Sequence, residues 1–318
     1  MFIALLLFLA ASLRYPNFLS LGVVVNLIDD NAFLGIAAVG MTFVILTGGI
    51  DLSVGSMIGF VSILSAILVE RLHLHPALVF LIVIAIGSVF GALMGFLIAY
   101  FDIAPFLVTL AGMFFIRGLA LTLSQESIPL KHPLFKWFLS LSISIGQTAL
   151  PPTGLIFLLV VALGIYVATL TRFGRTIYAI GGNMLSAHLM GLKVKATLVR
   201  VYLLSGFLSA VAGFIYSVYT SSGNSTAAMG AELDVISAVV IGGTLLTGGR
   251  GNVFGTLVGV FILGLIQTII TFEGTLSSWW TRIAIGILLF LFVGLQQILT
   301  NLPQIKTHFK ITFSRSRT

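Results

Sequence analysis

Long apolar runs alternate with short polar or glycine-rich segments along the whole chain, and this alternation predicts the fold. An α-helix needs roughly 20 predominantly apolar residues to cross a bilayer, and two of the runs, 1–13 and 233–247, are shorter than that. The pattern predicts an all-α, polytopic transmembrane helical bundle of about ten spans, in the runs 1–13, 23–47, 53–69, 77–99, 104–124, 154–171, 198–220, 233–247, 252–272 and 280–300.

The sequence at the end of the second run returns 200 positions later. The residues Leu-Thr-Gly-Gly occupy positions 46–49 and again positions 246–249. At the same offset, Gly55 is matched by Gly255 and Gly59 by Gly259. The repeat predicts a single transmembrane domain, residues 1–318, that contains two related halves, about 23–124 and 198–300.

Each copy of the Thr-Gly-Gly motif interrupts apolar sequence with paired glycines. Glycine lowers helix stability, and a helix break inside a bilayer is tolerated only beside protein or a water-filled cavity. Broken spans at matching positions of two halves point to a transport path, whereas the alternative is a polar turn between two ordinary helices. Asp51 and Ser53 suit both interpretations, because either can cap a following helix. The predicted broken helices and transport path comprise Thr47, Gly48, Gly49, Asp51, Ser53, Thr247, Gly248 and Gly249.

Composition excludes a soluble globular protein. Hydrophobic residues make up 58% of the 318 residues, charged residues make up only 8%, and the mean hydropathy is +1.17. The net charge of +7 comes from basic residues between the runs and at the C-terminus, which favours contacts with membrane lipid and a role in topology over nucleic-acid binding. The chain has no Cys, which excludes disulfides and thiol catalysis. The apolar start lacks the basic flank of a signal peptide and is interpreted as a first span.

Basic residues predict the orientation of the chain. The segment 171–200 contains Arg172, Arg175, Lys193, Lys195 and Arg200 and no acidic residue, and the tail adds Lys306, Lys310, Arg315 and Arg317. Positively charged connections lie in the cytoplasm, so this segment and both termini are expected there, with the segment 125–153 outside. On this count both Thr-Gly-Gly motifs face the same side, as in parallel repeats, although an error of one span would make the repeats inverted.

Charged residues within or beside the runs are few, and they are functional candidates by default. Glu232 and Asp234 open a run and suit the positive end of a helix dipole. Arg117 lies deepest in its run and either pairs with Asp51 or lines the path. The chain contains no phosphate-binding loop, no His-Glu-x-x-His zinc pair and no nucleophile elbow. We therefore expect a protein that is not an enzyme and that holds no metal or cofactor of its own.

The segment 171–200 contains a second candidate element. Its residues from Met184 to Leu192 have apolar positions at helical spacing, and Gly191 lies near the C-terminal end of that stretch. A helix this short cannot span a bilayer, but it can lie on the membrane surface or dock into a partner protein. Docking would supply the energy source that the chain itself lacks.

Three stretches together resemble the permease subunits of ribose/galactose-type ATP-binding cassette importers. They are Thr47–Gly55, the segment from Arg172 through Gly181-Gly182-Asn183 to Leu192, and Val240–Gly249. The resemblance covers nearly the whole chain. Within that family, the stretches Ala111–Gly118, Glu126–Pro129 and Gly274–Trp280 are similar to galactofuranose permeases that work in pairs.

The resemblance implies a bacterial inner-membrane permease that imports a monosaccharide, galactofuranose or a related sugar. Its implied partners are a second, different but related permease, a cytoplasmic ATPase that binds the ATP, and a periplasmic sugar-binding protein. The resemblance also places Thr47 to Ser53 near the translocation path. The family's ATPase-coupling region maps onto Gly181, Gly182, Asn183, Ala187 and Gly191. The alternative is a self-contained secondary carrier or channel for a small polar solute, which would need a buried ion-coupled acid such as Asp51.

Overall fold

A computed structural model describes residues 2–15, 18–146, 148–275, 277 and 279–315, with side chains for those between Leu5 and Gln296 and for Ile298. The predicted tail residues Lys306, Lys310, Arg315 and Arg317 lie outside these described side chains. The helices are α1 Phe2–Arg14, α2 Leu21–Asp30, α3 Ala32–Leu46, α4 Val54–Ala66 with a π-helical turn Ile67–Arg71, α5 Pro76–Phe101, α6 Pro105–Leu123, α7 Pro133–Ser140, α8 Pro152–Leu170, α9 Arg172–Gly182, α10 Met184–Leu189, α11 Val194–Tyr219, α12 Ala231–Ile241, α13 Val253–Glu273 and α14 Trp279–Arg315.

The predicted fold class, a transmembrane helical bundle, is confirmed. Every apolar run contains a helix, and within the described residues seven helices are long and apolar enough to cross a membrane, or eight if one bent pair counts as a single span. The predicted count of ten is therefore approximate. Two of the predicted spans contain a helix that is too short for a crossing: the apolar part of α1, Leu5–Arg14, and α12, which has 11 residues.

The bent pair contains a helix break that the sequence did not predict. The run 23–47 is bent by 56° between α2 and α3, at Asn31, whereas α3 simply ends at the Thr-Gly-Gly motif. The Asn31 side-chain amide donates a 2.9 Å hydrogen bond to the Leu27 carbonyl oxygen. An Asn side chain that bonds the nearby backbone competes with the helical hydrogen-bond ladder, which accounts for a break inside an otherwise apolar run.

Helix α3 lies at the centre of the bundle. Every residue from Leu34 to Leu46 is buried, as expected for a helix that is apolar on all sides. Helix α11 packs beside it and is crossed by α5 through a face formed by Gly87, Gly91 and Gly95. A Cβ atom at Gly91 would overlap the Tyr202 carbonyl oxygen, and one at Gly95 would lie 2.9 Å from the Tyr202 Cβ. The absence of side chains at these glycines therefore allows the two helices to pack closely.

The two ends of the bundle differ in their connections. One end carries α9 and α10, which join α8 to α11; we call it the α9–α10 end. The other, the α7 end, carries α7 and two small antiparallel sheets, one formed by β1 Ile128–Pro129 and β4 Ser222–Gly223 and the other by β2 Ile143–Ile145 and β3 Thr148–Leu150. A Glu70 side-chain oxygen accepts hydrogen bonds from the backbone N–H groups of Lys131, at 2.6 Å, and His132, at 3.0 Å, at this end.

Candidate functional site

The first Thr-Gly-Gly segment turns sharply under the end of α3. The Thr47 hydroxyl donates a 2.7 Å hydrogen bond to the Val44 carbonyl oxygen, and the Gly49 N–H bonds the same oxygen at 3.1 Å. Gly48 has a positive φ of 81°, which glycine adopts without steric cost. The segment is a tight, mostly buried turn between two helices, closer to the alternative of a polar turn than to a helix interrupted within one span.

The second copy of the motif contacts the first directly. The Gly249 N–H donates a 2.9 Å hydrogen bond to the Leu46 carbonyl oxygen. A Cβ atom on Gly248 would lie 2.8 Å from the Gly48 nitrogen, and Gly248 and Gly249 have φ values of 84° and 73°. Thr247 belongs to the same turn, and its carbonyl oxygen faces Gly48. The two motifs therefore lie at the same end of the bundle, backbone against backbone.

The last turn of α9 closes on both motifs. A Cβ atom at Gly181 would overlap the Leu46 carbonyl oxygen and the Gly249 nitrogen, and one at Gly249 would lie 2.7 Å from the Gly182 nitrogen. The Tyr178 hydroxyl of α9 also donates a 2.8 Å hydrogen bond to the Gly251 carbonyl oxygen. We call this meeting of three backbone segments the glycine junction, formed by Gly48, Gly181, Gly182, Gly248 and Gly249.

Asp51 is held inside the protein by hydrogen bonds only. Its side chain is 1% exposed, and its Oδ1 accepts from the Ser53 N–H at 2.9 Å and from the Ser53 hydroxyl at 2.7 Å. Its Oδ2 accepts from the Ser205 hydroxyl of α11 at 2.7 Å. Arg117 does not reach it. Asp51 therefore fastens the α3–α4 turn to α11.

The residues predicted to couple to the ATPase lie in two environments of the α9–α10 segment, one buried and one open. Ala187 is fully buried, and the Asn183 side chain accepts a 2.8 Å hydrogen bond from the Ser186 N–H, capping α10. A Cβ atom at Gly182 or Gly191 would meet no other atom within 4 Å. The predicted helix Met184–Leu192 is shorter, ending at Leu189, because Gly191 takes a left-handed conformation with φ of 79°.

Helix α10 presents large apolar side chains on its outer face. Leu185 is 68% exposed, Leu189 is 78% exposed and Met190, just beyond the helix, is 68% exposed. Between α10 and the first motif lies a cleft of about 260 Å³, lined among others by Thr47, Gly49, Tyr202 and Met184. An exposed apolar patch of this kind marks an interaction surface, and here it sits next to the glycine junction.

A larger, polar cavity lies toward the α7 end. It has a volume of about 800 Å³ and is bounded by α2, α3, α11, α12, α13, α14 and the 224–230 loop. A second cavity of about 450 Å³ shares Asp234, Gln267, Thr271 and Arg282 with it. The polar residues of the larger cavity are Asn26, Asp30, Asn31, Asn224, Thr226, Asp234, Gln267, Thr268, Thr271 and Arg282.

Sequence reasoning did not find this cavity. Gln267 and Thr268 are polar residues within an apolar run, and that was the available signal, but the cavity also takes residues from α2, α3, α11, α12, α14 and the 224–230 loop, and the sequence does not show that these segments meet. Arg117, predicted to pair with Asp51 or line the path, instead donates hydrogen bonds to the carbonyl oxygens of Ser225, at 2.8 Å, and Ala227, at 3.0 Å. It thereby supports the 224–230 loop that forms one cavity wall.

Comparison with known proteins gives the chain a family. A family model described as "Branched-chain amino acid transport system / permease component" matches residues 23–293. The chain is 54% identical over 288 residues to the inner membrane ABC transporter permease protein YjfF of Escherichia coli K12, which covers 90% of this chain and 87% of that protein. No solved structure gives a significant match.

Two further relatives carry a sugar in their names. The fructose import permease protein FruG of Bifidobacterium longum is 38% identical over 93% of this chain and 88% of its own length. The ribose import permease protein RbsC of Haemophilus influenzae is 37% identical over 89% of this chain and 88% of its own length. The chain therefore belongs to the family of ABC transporter permease components that includes these sugar importers.

Proposed function

We propose that this chain is the permease subunit of an importer that moves a monosaccharide, galactofuranose or a related sugar, across the bacterial inner membrane. A cytoplasmic ATPase drives the transport, a periplasmic sugar-binding protein delivers the sugar, and a second, related permease completes the path. Family membership supports the assignment to ATP-driven sugar importers. The three stretches similar to galactofuranose permeases support the choice of sugar and of a heteromeric pair.

The α9–α10 end faces the cytoplasm in this proposal, and the α7 end faces the periplasm. Arg172, Arg175, Lys193, Lys195 and Arg200 lie at or beside the α9–α10 end, in accord with the distribution of basic residues in inner-membrane proteins. The 125–153 segment and the polar cavity then lie on the side from which the sugar arrives.

The observation that carries the proposal is that the exposed helix α10 directly follows α9, whose last turn packs against both motifs in the glycine junction. The ATPase docks on Leu185, Leu189 and Met190, and ATP binding displaces α10 together with α9. Because Gly181 contacts both Leu46 and Gly249, this displacement changes the relative position of the two motif segments. The helices that follow them, α4 and α13, rearrange and open the path alternately to each side.

Reconstitution tests the proposal. The chain is purified with its co-purifying partners in mild detergent, inserted into liposomes with the binding protein inside or outside, and assayed for uptake of galactofuranose, ribose and fructose with and without ATP. Recovery of an ATPase and a second permease, with ATP-dependent uptake of galactofuranose, is the expected result. Recovery of the chain alone, moving solute without ATP, would contradict the proposal and favour a self-contained carrier.

A further inference from the structure

We infer that the polar cavity of about 800 Å³ is a binding site for the transported monosaccharide, located inside this single chain. The inference rests on the proposed function and adds to it a sugar site between the two motif-bearing parts of the bundle. Its volume lies within the range of small-molecule pockets, roughly 300–1,000 Å³, so it accommodates a hexose together with water.

The cavity brings polar groups into membrane-spanning helices, where they are costly unless they have partners. Gln267 lies well inside α13, and no described residue hydrogen-bonds its side-chain amide. The Thr268 and Thr271 hydroxyls each donate to the carbonyl oxygen four residues earlier, at 2.8 Å and 2.9 Å. Each hydroxyl oxygen can still accept a hydrogen bond, so α13 offers amide donors and acceptors to a ligand.

Helices α2 and α11 supply an oriented carboxylate to the same cavity. The Tyr219 hydroxyl of α11 donates a 2.8 Å hydrogen bond to Asp30 Oδ1 of α2. This bond fixes the carboxylate and leaves its second oxygen as an acceptor for a sugar hydroxyl. A site built to hydrogen-bond hydroxyl groups rejects analogues that lack them, so Asp30 of α2 and Gln267 of α13, which both line the cavity, select a polyhydroxyl ligand.

Aromatic side chains also line the cavity. The Phe33 and Tyr216 rings pack edge to face with centroids 4.9 Å apart, and both line the cavity. Such rings offer apolar surface to the C–H face of a sugar, while the polar groups bind its hydroxyls. With two carboxylates, Asp30 and Asp234, and one guanidinium, Arg282, the cavity favours a neutral sugar over a sugar phosphate.

Cysteine labelling tests the site directly, because the chain has no Cys of its own. In the complete transporter, Thr271→Cys places a thiol on the cavity wall, and Ser140→Cys places one on an exposed surface of α7, outside it. Because a bound ligand fills its pocket and covers the lining side chains, we expect the transported sugar to slow maleimide labelling of Thr271→Cys and to leave labelling of Ser140→Cys unchanged.

A second pair of variants measures the contribution to transport. Thr271→Val removes a cavity hydroxyl, and Thr169→Val removes a hydroxyl of α8 that makes the same kind of bond, to Ile165 O at 2.7 Å, outside the cavity. We expect only Thr271→Val, and independently Tyr219→Phe, to lower ATP-dependent uptake, by about five-fold for one lost hydrogen bond, with complex assembly retained.

The outcomes separate the inference from the proposed function. One outcome overturns the inference alone. In that outcome the wild-type complex imports one of the three sugars under ATP, that sugar does not change the labelling rate of Thr271→Cys, and Thr271→Val takes up as much sugar as Thr169→Val. The proposed function would then still stand. Wild-type complex that imports none of the three sugars would overturn the function, and the inference with it.

Discussion

At the scale of single residues, Gly181 and Gly182 are adjacent in α9, yet only Gly182 has free space beside its Cα atom. A methyl group at Gly181 would overlap the Leu46 carbonyl oxygen and the Gly249 nitrogen, whereas one at Gly182 would meet nothing within 4 Å. We therefore expect Gly181→Ala to cost about 1–3 kcal/mol through overpacking and to reduce ATP-driven uptake strongly. Thermal unfolding in detergent and the uptake assay measure the two effects.

Gly182→Ala is the matched control for this experiment. Replacing glycine by alanine in a helix with free space is neutral or stabilises by roughly 0.5–1 kcal/mol, so this variant should unfold and transport like the wild type. Equal behaviour of the two variants would show that α9 does not need close contact with the two motifs.

Asp51 gives a second prediction at this scale. Its two oxygens accept three hydrogen bonds, so Asp51→Ala leaves buried donors without partners and should lower the free energy of unfolding by about 1–3 kcal/mol. Asp51→Asn keeps one acceptor oxygen and the side-chain size, and should transport with an unchanged pH profile. A lost or shifted pH profile in Asp51→Asn would instead identify Asp51 as an ion-coupling residue of a carrier.

The sequence could indicate such residues but not their partners. Paired glycines and an acid after them pointed to Thr47–Ser53 as a special turn, since these residue types are rare inside spans. The sequence could not separate Gly181 from Gly182, because the difference depends on which atoms of residues 46 and 249 lie above each one. The proposed roles of the motif residues in transport and coupling remain predictions.

At the scale of elements, α10 provides the surface on which we propose that the ATPase docks. Leu185→Asp places a charge in its exposed apolar face and should abolish co-purification of the ATPase while the permease remains folded. Leu72→Asp is the control, because Leu72 is 60% exposed but follows the π-helical turn at the opposite end. ATPase recovery with Leu185→Asp equal to that with Leu72→Asp would exclude α10 as the docking element.

The secondary-structure elements could be predicted from the sequence where a single physical cause dominates. Apolar runs of bilayer length became helices because a lipid-embedded backbone must satisfy its own hydrogen bonds. Helix α9 was not predicted, since its basic residues and three glycines resemble a loop, and its packing against α8 and the junction decides the outcome. The bend at Asn31 was missed for a similar reason, because it depends on one side-chain bond to Leu27.

At the scale of the whole molecule, the two cavities and the glycine junction lie toward opposite ends and share the helices between them. No local pattern predicts either feature. The polar cavity collects residues from positions 23 to 282, and the junction joins backbone from three distant segments. What the sequence could supply was the repeat itself, which implied that two equivalent turns exist.

The hydrogen bond between Thr42 and Thr256 offers a test of whether these shared helices move. The two hydroxyl oxygens are 2.7 Å apart and buried, one on α3 and one on α13. In a disulfide the two Cβ atoms are about 3.5–4.5 Å apart. Hydroxyl oxygens in hydrogen-bond contact hold their Cβ atoms at a similar separation, so we expect Thr42→Cys combined with Thr256→Cys to form a disulfide under mild oxidation. No native Cys of this chain competes.

In the proposed mechanism α13 rearranges against α3 during each cycle, so the oxidised double variant should lose ATP-driven uptake and recover it on reduction. Each single variant, treated with the same oxidant, should transport normally and serves as the control. Uptake that survives the cross-link would mean that α3 and α13 move together as one rigid unit. The path would then have to open along surfaces outside this pair, such as those of the exposed helices α6 and α14.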